Sequence, residues 1–263
     1  MGNLKQEKFS YVQIAIAIIF AAAIVRLFLA VSATWPPFSD SRDYHEYAKN
    51  LLNGLGYFQT YKGETAAHNG FTFYAYRMPG YPAFLSLVYS IFGMKPLYAY
   101  IAQASIEIIG LCFFAILCSR LLSKQAALFA LVFFSLNIYW TASLTTEALF
   151  NTFVLGLVLW KVTRADKAKL LETLLIGVVL CFAVTVRPLA IFLFPVLLWP
   201  RLLWPVSFNS TAFSKVLFLT LPLVIFLSSW SYRNYVILGQ PVLFSTNFGW
   251  HNAPNFGVDR KEV

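Results

Sequence analysis

Seven apolar stretches dominate the chain, and mostly short polar segments separate them. About 20 apolar residues in a helix cross the hydrocarbon core of a bilayer. The pattern predicts membrane spans at residues 11–33, 97–117, 126–140, 148–162, 170–186, 190–204 and 216–230. The sequence therefore predicts an all-α polytopic membrane protein with seven transmembrane helices, in which residues 1–263 form a single membrane domain.

Two longer segments interrupt this pattern, a first loop at residues 35–96 and a tail at residues 231–263. In the loop, residues 43–52 have apolar side chains at helical spacing and are followed by Gly54 and Gly56. Residues 81–92 are also mostly apolar but too short to span a bilayer. We expect this second segment to lie along the membrane surface or to re-enter it, so the loop should contain membrane-parallel helices.

Composition supports the membrane assignment and changes the meaning of the charge. The chain is 59% hydrophobic and only 12% charged, whereas a soluble domain is about 25% charged. The formal net charge of +9 is then explained by basic residues that contact anionic lipid head groups, and nucleic acid is not an expected partner. Basic residues in short segments such as 161–169 favour a cytoplasmic N-terminus, which places the loop and the tail on the extracytoplasmic side.

Under this topology, ionisable residues gather on the extracytoplasmic face of the membrane. Ionisable groups at membrane depth usually face a polar cavity or an oppositely charged partner. We therefore expect a functional site on this face. Its candidate members are Asp40, Asp43, Arg77, Glu147, Arg187, Arg233 and His251.

Asp40 is the candidate for a catalytic base because it follows the first span directly. A carboxylate at this boundary could deprotonate an acceptor hydroxyl or amine if partial burial made it a stronger base. The alternative is a solvated acid or the N-cap of the loop helix. Asp43 is the better candidate for that cap, which would leave Asp40 available for another role.

The arginines of this face suggest a phosphate site, because a guanidinium group pairs bidentately with phosphate oxygens. Arg77, Arg187 and Arg233 are the candidates for such a clamp. Alternatively, they reach lipid head groups or form salt bridges with Asp40 or Glu147. The residues alone leave both interpretations open.

The remaining polar residues add little chemistry. Arg26 lies inside the first span, where it can reach the interface or pair with Glu107. The three cysteines lie in apolar runs and the three histidines are scattered, so no metal site is predicted. The sequence specifies no cofactor, although a divalent cation stays open, and it contains no nucleotide-binding glycine loop.

Several short motifs occur in a distinctive order. They are Asp40-Ser41-Arg42-Asp43-Tyr44, Arg77-Met78-Pro79-Gly80-Tyr81-Pro82, Thr146-Glu147-Ala148, Arg187-Pro188 and Trp230-Ser231-Tyr232-Arg233-Asn234. In order and spacing, over most of the chain, this set resembles the GT-C superfamily of polyprenyl-phosphate-dependent glycosyltransferases. The resemblance is to the bacterial branch related to protein O-mannosyltransferases and lipid A aminoarabinose transferases.

The resemblance implies a function for the extracytoplasmic face. The family's catalytic Asp, with a Tyr four residues later, maps onto Asp40 and Tyr44. Asp40 would act as general base while a sugar moves from a polyprenyl-phosphate carrier to an extracytoplasmic acceptor. Tyr44 and the other charged residues of this face would bind substrate, with the arginines holding the phosphate. A bacterial inner-membrane location and contacts with membrane lipids are implied as well.

The sequence also departs from this family. Ser41 stands where several relatives carry a second acid, and relatives usually continue through further helices after the seventh span. The alternatives are therefore a non-catalytic protein of envelope synthesis that binds polyprenyl lipids or acts as a scaffold, and a truncated, inactive transferase.

Overall fold

The computed structural model describes residues 3–33, 37, 39–60, 71–138, 141–164, 168–198, 210–246 and 260–262. Nine α-helices account for most of the described residues. They are α1 Asn3–Ser32, α2 Asp40–Leu52, α3 Gly80–Phe92, α4 Pro96–Leu121, α5 Lys124–Ser135, α6 Glu147–Thr163, α7 Leu170–Val186, α8 Leu193–Leu198 and α9 Ser210–Leu238. A 3-10 helix, Pro188–Phe192, connects α7 to α8. The predicted all-α membrane fold is confirmed.

Within the described residues, three helices are long and apolar enough to cross a membrane: Tyr11–Ser32, Pro96–Leu121 and Phe213–Leu238. The other apolar helices are shorter, and the predicted number of seven spans stays a prediction. The predicted span at 190–204 corresponds to the 3-10 helix and α8, and its second half lies outside the described residues. The four-helix group of α1, α4, α5 and α6 packs beside the pair formed by α7 and α9.

The last helix is longer than the sequence predicted. The expected span at 216–230 is part of α9, which continues to Leu238 and ends at Gly239, where φ is 76°. No helix-breaking residue follows Trp230 until that glycine, whose positive φ is a common way to end a helix. Arg233, which the sequence analysis assigns to the tail at residues 231–263, therefore lies on the last two turns of α9.

A buried ion pair holds α1, α4 and α5 together. The side chain of Arg26 is only 3% exposed, and its Nε donates to Glu107 Oε2 at 3.0 Å. Its Nη atoms donate to the carbonyl oxygens of Ser135 and Asn137 at 3.1 and 3.0 Å. Arg26 thus satisfies carbonyls at the end of α5, which stops short of the predicted end of that span at residue 140. The sequence left open whether Arg26 reaches the membrane interface or pairs with Glu107, and the structure shows the pairing with Glu107.

The first loop folds onto the ends of the long helices. Helices α2 and α3 pack on each other, and α3 approaches the end of α7. The far face of α3 exposes Leu87, Ile91 and Phe92, which is the pattern of a helix lying in a membrane interface. Two short strands, β1 Gln59–Thr60 and β2 Phe71–Phe73, form an antiparallel sheet with a third, β3 Arg260–Glu262. The sheet brings the end of the chain back to the first loop, an arrangement that the sequence did not predict.

Candidate functional site

Two acids on α2 occupy different environments at the start of that helix. The helix begins at Asp40, after Ser39 with a positive φ of 48°, and Ser39 makes no side-chain cap bond. The predicted start and cap at Asp43 are therefore wrong, because Asp43 lies inside the helix, one turn further on. Three residues apart, the two acids share a helix face. The side chain of Asp40 is 59% exposed, whereas that of Asp43 is 2% exposed.

Arg77 links these two carboxylates. Its Nε and Nη2 donate to Asp43 Oδ2 at 3.1 and 2.8 Å, and Nη2 also donates to Asp40 Oδ1 at 2.5 Å. The rings of Tyr44 and Tyr76 lie 5.2 and 4.8 Å from its Cζ atom. Burial lowers the pKa of Arg77, but Tyr44, Asp43 and Asp40 more than offset this, so the pKa is raised and the group is always charged. Arg77 therefore forms salt bridges, which the sequence analysis gave as the alternative to a phosphate clamp.

Tyr44 lies between this cluster and a second ion pair. Its ring meets that of Tyr81 edge-on, with the centroids 4.9 Å apart. Burial raises the pKa of Tyr44, opposed by Arg77 and Arg187 and reinforced by Asp40 and Glu147. The phenol is thus protonated at neutral pH, and no residue of the described part of the chain accepts or donates a hydrogen bond at its Oη atom.

The second ion pair joins α6 to the end of α7. Arg187 Nη1 donates to Glu147 Oε1 at 2.9 Å, and the two side chains are 39% and 20% exposed. Glu147 is the first residue of α6, where a carboxylate is favoured by the helix dipole. Arg187 directly follows α7, and its Cζ atom lies 5.6 Å from the centre of the Phe150 ring. Arg187 is more exposed than Arg77 and has a single acidic partner among the described residues.

The hydrogen-bond partners of Arg233 within the described residues differ from those of Arg77 and Arg187. Its Nη1 and Nη2 donate to the carbonyl oxygens of Tyr74 and Tyr57, both at 2.7 Å, and Nη1 also reaches Asn234 Oδ1 at 2.8 Å. The predicted three-arginine clamp is thus distributed over three different environments, each with its own partners. His251 lies outside the described residues.

Sequence reasoning missed the polar residues that support the cluster. Ser41 Oγ is 3.0 Å from Ser143 Oγ, and Gln103 Nε2 donates to the Ser143 carbonyl at 2.9 Å. Gln103 in turn accepts a hydrogen bond from Tyr81 Oη. These contacts fix α2 and α3 to α4 and to the segment before α6. A polar Gln103 in an apolar span was the only sequence signal of this network.

The described residues include no group of three or more His, Cys, Asp and Glu side chains arranged to hold a metal ion. Asp40 and Asp43 instead have Arg77 as their counter-charge. A divalent cation therefore stays an untested expectation.

Comparison with known proteins gives one structural likeness. No family model and no curated protein matches the sequence. The crystal structure of ArnT from Cupriavidus metallidurans bound to undecaprenyl phosphate matches with a TM-score of 0.56 and 13% sequence identity. The match covers 85% of this chain and 43% of that chain, so this chain spans less than half the length of its structural neighbour. The likeness shows that this chain has a membrane fold similar to that of ArnT.

Proposed function

We propose that this chain is a glycosyltransferase that moves a sugar from a polyprenyl-phosphate carrier to an extracytoplasmic acceptor, with Asp40 as general base. One observation carries the proposal: Asp40 is an exposed carboxylate held in place by a buried arginine that is itself anchored by Asp43. The fold supports it, since the structural neighbour ArnT was crystallised with undecaprenyl phosphate, a lipid of the proposed donor class.

The geometry of Asp40 suits proton abstraction. Its Oδ1 accepts a hydrogen bond from Arg77, and within the described residues its Oδ2 has no hydrogen-bond partner. A base must come within about 2.6–3.2 Å of the proton-bearing atom, and Oδ2 is open to such an approach. The expected partial burial of Asp40 is absent at 59% exposure, so the bound substrates would have to exclude water themselves.

The proposed reaction is a single displacement. The acceptor oxygen attacks the anomeric carbon of the sugar while Asp40 takes the acceptor proton. The bond from the anomeric carbon to the phosphate oxygen breaks, and the polyprenyl phosphate leaves with that electron pair. The configuration at the anomeric carbon inverts, because attack and departure occur on opposite faces.

Arg187 is the favoured phosphate ligand of the three arginines. It is 39% exposed with one acidic partner, whereas Arg77 is 9% exposed and bound to two. A guanidinium near the departing phosphate stabilises the charge that develops there. The protonated hydroxyl of Tyr44 can donate a further hydrogen bond to the same group or to the sugar.

Sugar transfer by the purified protein tests the proposal. The protein is reconstituted in lipid with a panel of radiolabelled polyprenyl-phosphate sugars, and transfer is compared for wild type, Asp40→Asn and Glu46→Gln. Glu46 is the matched control, since it is a partly exposed acid on the same helix that pairs only with Lys49 among the described residues. We expect transfer in wild type and Glu46→Gln, and a loss of about 10²–10⁴-fold in Asp40→Asn.

Two outcomes contradict the proposal in different ways. Full activity in Asp40→Asn would remove Asp40 as the base. Binding of the lipid donor without transfer of any sugar by wild type would favour the alternative, a non-catalytic polyprenyl-lipid-binding or scaffold protein. The 43% coverage of the ArnT chain is the observation that keeps this alternative in view.

A further inference from the structure

The residue that holds Asp40 sits on an irregular piece of chain. Arg77 lies between the end of β2 at Phe73 and the start of α3 at Gly80, and this connection forms neither helix nor strand. Without regular secondary structure, its backbone position depends on hydrogen bonds to groups outside it. The place of the Arg77 guanidinium, and so of the Asp40 carboxylate, depends on the same bonds.

Three carbonyl oxygens of this connection accept hydrogen bonds from other parts of the protein. Tyr74 O accepts from Arg233 Nη1 at 2.7 Å, and Ala75 O accepts from the backbone N–H of Thr246 at 2.9 Å. Arg77 O accepts from Tyr57 Oη at 2.8 Å. Two of the three donors belong to α9 or to the segment that follows it.

Arg233 also contacts the third donor residue, Tyr57. Its Nη2 donates to the carbonyl oxygen of Tyr57 at 2.7 Å, and its Cζ lies 5.6 Å from the centre of the Tyr57 ring. The ring of Tyr57 stacks on that of Tyr47 in α2 at 4.3 Å and meets that of Trp230 edge-on at 5.4 Å. One guanidinium group therefore connects α9 to both chain segments beside Arg77.

We infer that Arg233 is a positioning residue, which fixes the backbone at Arg77 and through it the carboxylate of Asp40. This inference rests on the proposed function, because positioning matters only if Asp40 acts in catalysis. It also changes the role expected for Arg233 from the sequence, since both of its Nη atoms donate to backbone carbonyls rather than facing Asp40. A displacement of about 1 Å in a catalytic group lowers the rate about 100-fold.

Kinetics of sugar transfer separate positioning from phosphate binding. The variants are Arg233→Lys and Arg233→Gln, with Arg120→Gln as control, because Arg120 is exposed in the last turn of α4. We expect kcat to fall about 10–100-fold in both Arg233 variants, with KM for the donor within about twofold of wild type. Lysine should not rescue, because one ammonium group lacks the planar fork that reaches two carbonyls. A raised KM with kcat unchanged, and partial rescue by lysine, would overturn the inference in favour of a phosphate ligand.

Hydrogen–deuterium exchange gives a second measurement that does not require turnover. Backbone exchange in peptides covering residues 71–79 should be faster in the Arg233 variants than in wild type and Arg120→Gln, with exchange in α4 unchanged. If Arg233→Gln fails to fold, the test rests on exchange in Arg233→Lys, which keeps the positive charge. Unchanged exchange in residues 71–79 would refute the positioning role. Absence of transfer by wild type, with the faster exchange still present, would refute the proposed function but leave the structural coupling standing.

Discussion

The different burial of Asp40 and Asp43 gives a quantitative test of their roles. Replacing Asp43 by Asn removes the buried partner of Arg77, whose side chain is 9% exposed. Among the described residues, the exposed Asp40 is then its remaining acidic partner. Removing one partner of a buried ion pair destabilises a protein by about 3–5 kcal/mol. We expect about 3 kcal/mol for Asp43→Asn, the lower end of this range, because Asp40 still faces the guanidinium.

Asp40→Asn should behave differently. The side chain of Asp40 is 59% exposed, and Arg77 keeps Asp43 as its buried partner. Exposed ion pairs contribute about 0–1 kcal/mol because solvent screens them. The expected loss is therefore under about 1 kcal/mol, whereas the expected loss of transfer activity is large.

Thermal unfolding in detergent, followed by tryptophan fluorescence, measures this difference. For a chain of this size, 1 kcal/mol corresponds to about 2–4 °C in the unfolding midpoint. Asp43→Asn should thus melt about 6–12 °C below wild type, and Asp40→Asn and the control Glu46→Gln within about 4 °C. Equal destabilisation by Asp40→Asn and Asp43→Asn would refute the reasoning, because Asp40 would then be a structural anchor rather than an available base.

Two further predictions concern packing and pH. In Gly80→Ala, the added Cβ would lie 2.6 Å from the carbonyl carbon of Thr185 and 2.7 Å from the nitrogen of Val186. We expect the free energy of unfolding to fall by about 1–3 kcal/mol. A variant with the same melting temperature as wild type would contradict this close approach of α3 and α7. Burial lowers the pKa of His45, with Lys49 adding to the shift and Glu46 opposing it. As pH falls below about 6.5, the unfolded chain takes up a proton that the folded protein does not, so stability should fall. Between pH 7.5 and 5.5, with a measurement at 6.5, the melting temperature should fall less for His45→Gln than for wild type. Equal falls would count against His45 as the source of this pH dependence.

The helices could be predicted because lipid imposes a simple rule on sequence. The predicted spans at 11–33 and 97–117 correspond to the apolar helical stretches Tyr11–Ser32 of α1 and Pro96–Leu121 of α4, since long apolar runs have few alternatives. The ends were predicted less well where a tertiary contact decides them. Helix α5 ends at Ser135, where Arg26, far away in sequence, donates to the carbonyl oxygens of Ser135 and Asn137.

The sequence predicted candidate site residues but not the contacts between them. The sequence identified Asp40, Arg77 and Arg187 on one face, and left clamp and salt bridge open for the arginines. Choosing between a clamp and salt bridges required the distances between side chains that are far apart in sequence. Asp43 and Arg77, for example, are 34 residues apart. The supporting role of Tyr57 was not predicted, because an aromatic residue in a loop has no feature that distinguishes a structural hydrogen bond from interfacial contact.

The charges of the site explain why the two ion pairs would have separate tasks. Asp40, Asp43 and Arg77 together carry one net negative charge, whereas Glu147 and Arg187 balance each other. Under the proposed function, the first group would repel a donor phosphate, which would compete with Glu147 for Arg187 in the second group. Tyr44 lies between the two groups, with electrostatic effects from both on its hydroxyl. A sugar held at Tyr44 would then have the base on one side and its phosphate on the other, which is the alignment that displacement at an anomeric carbon requires.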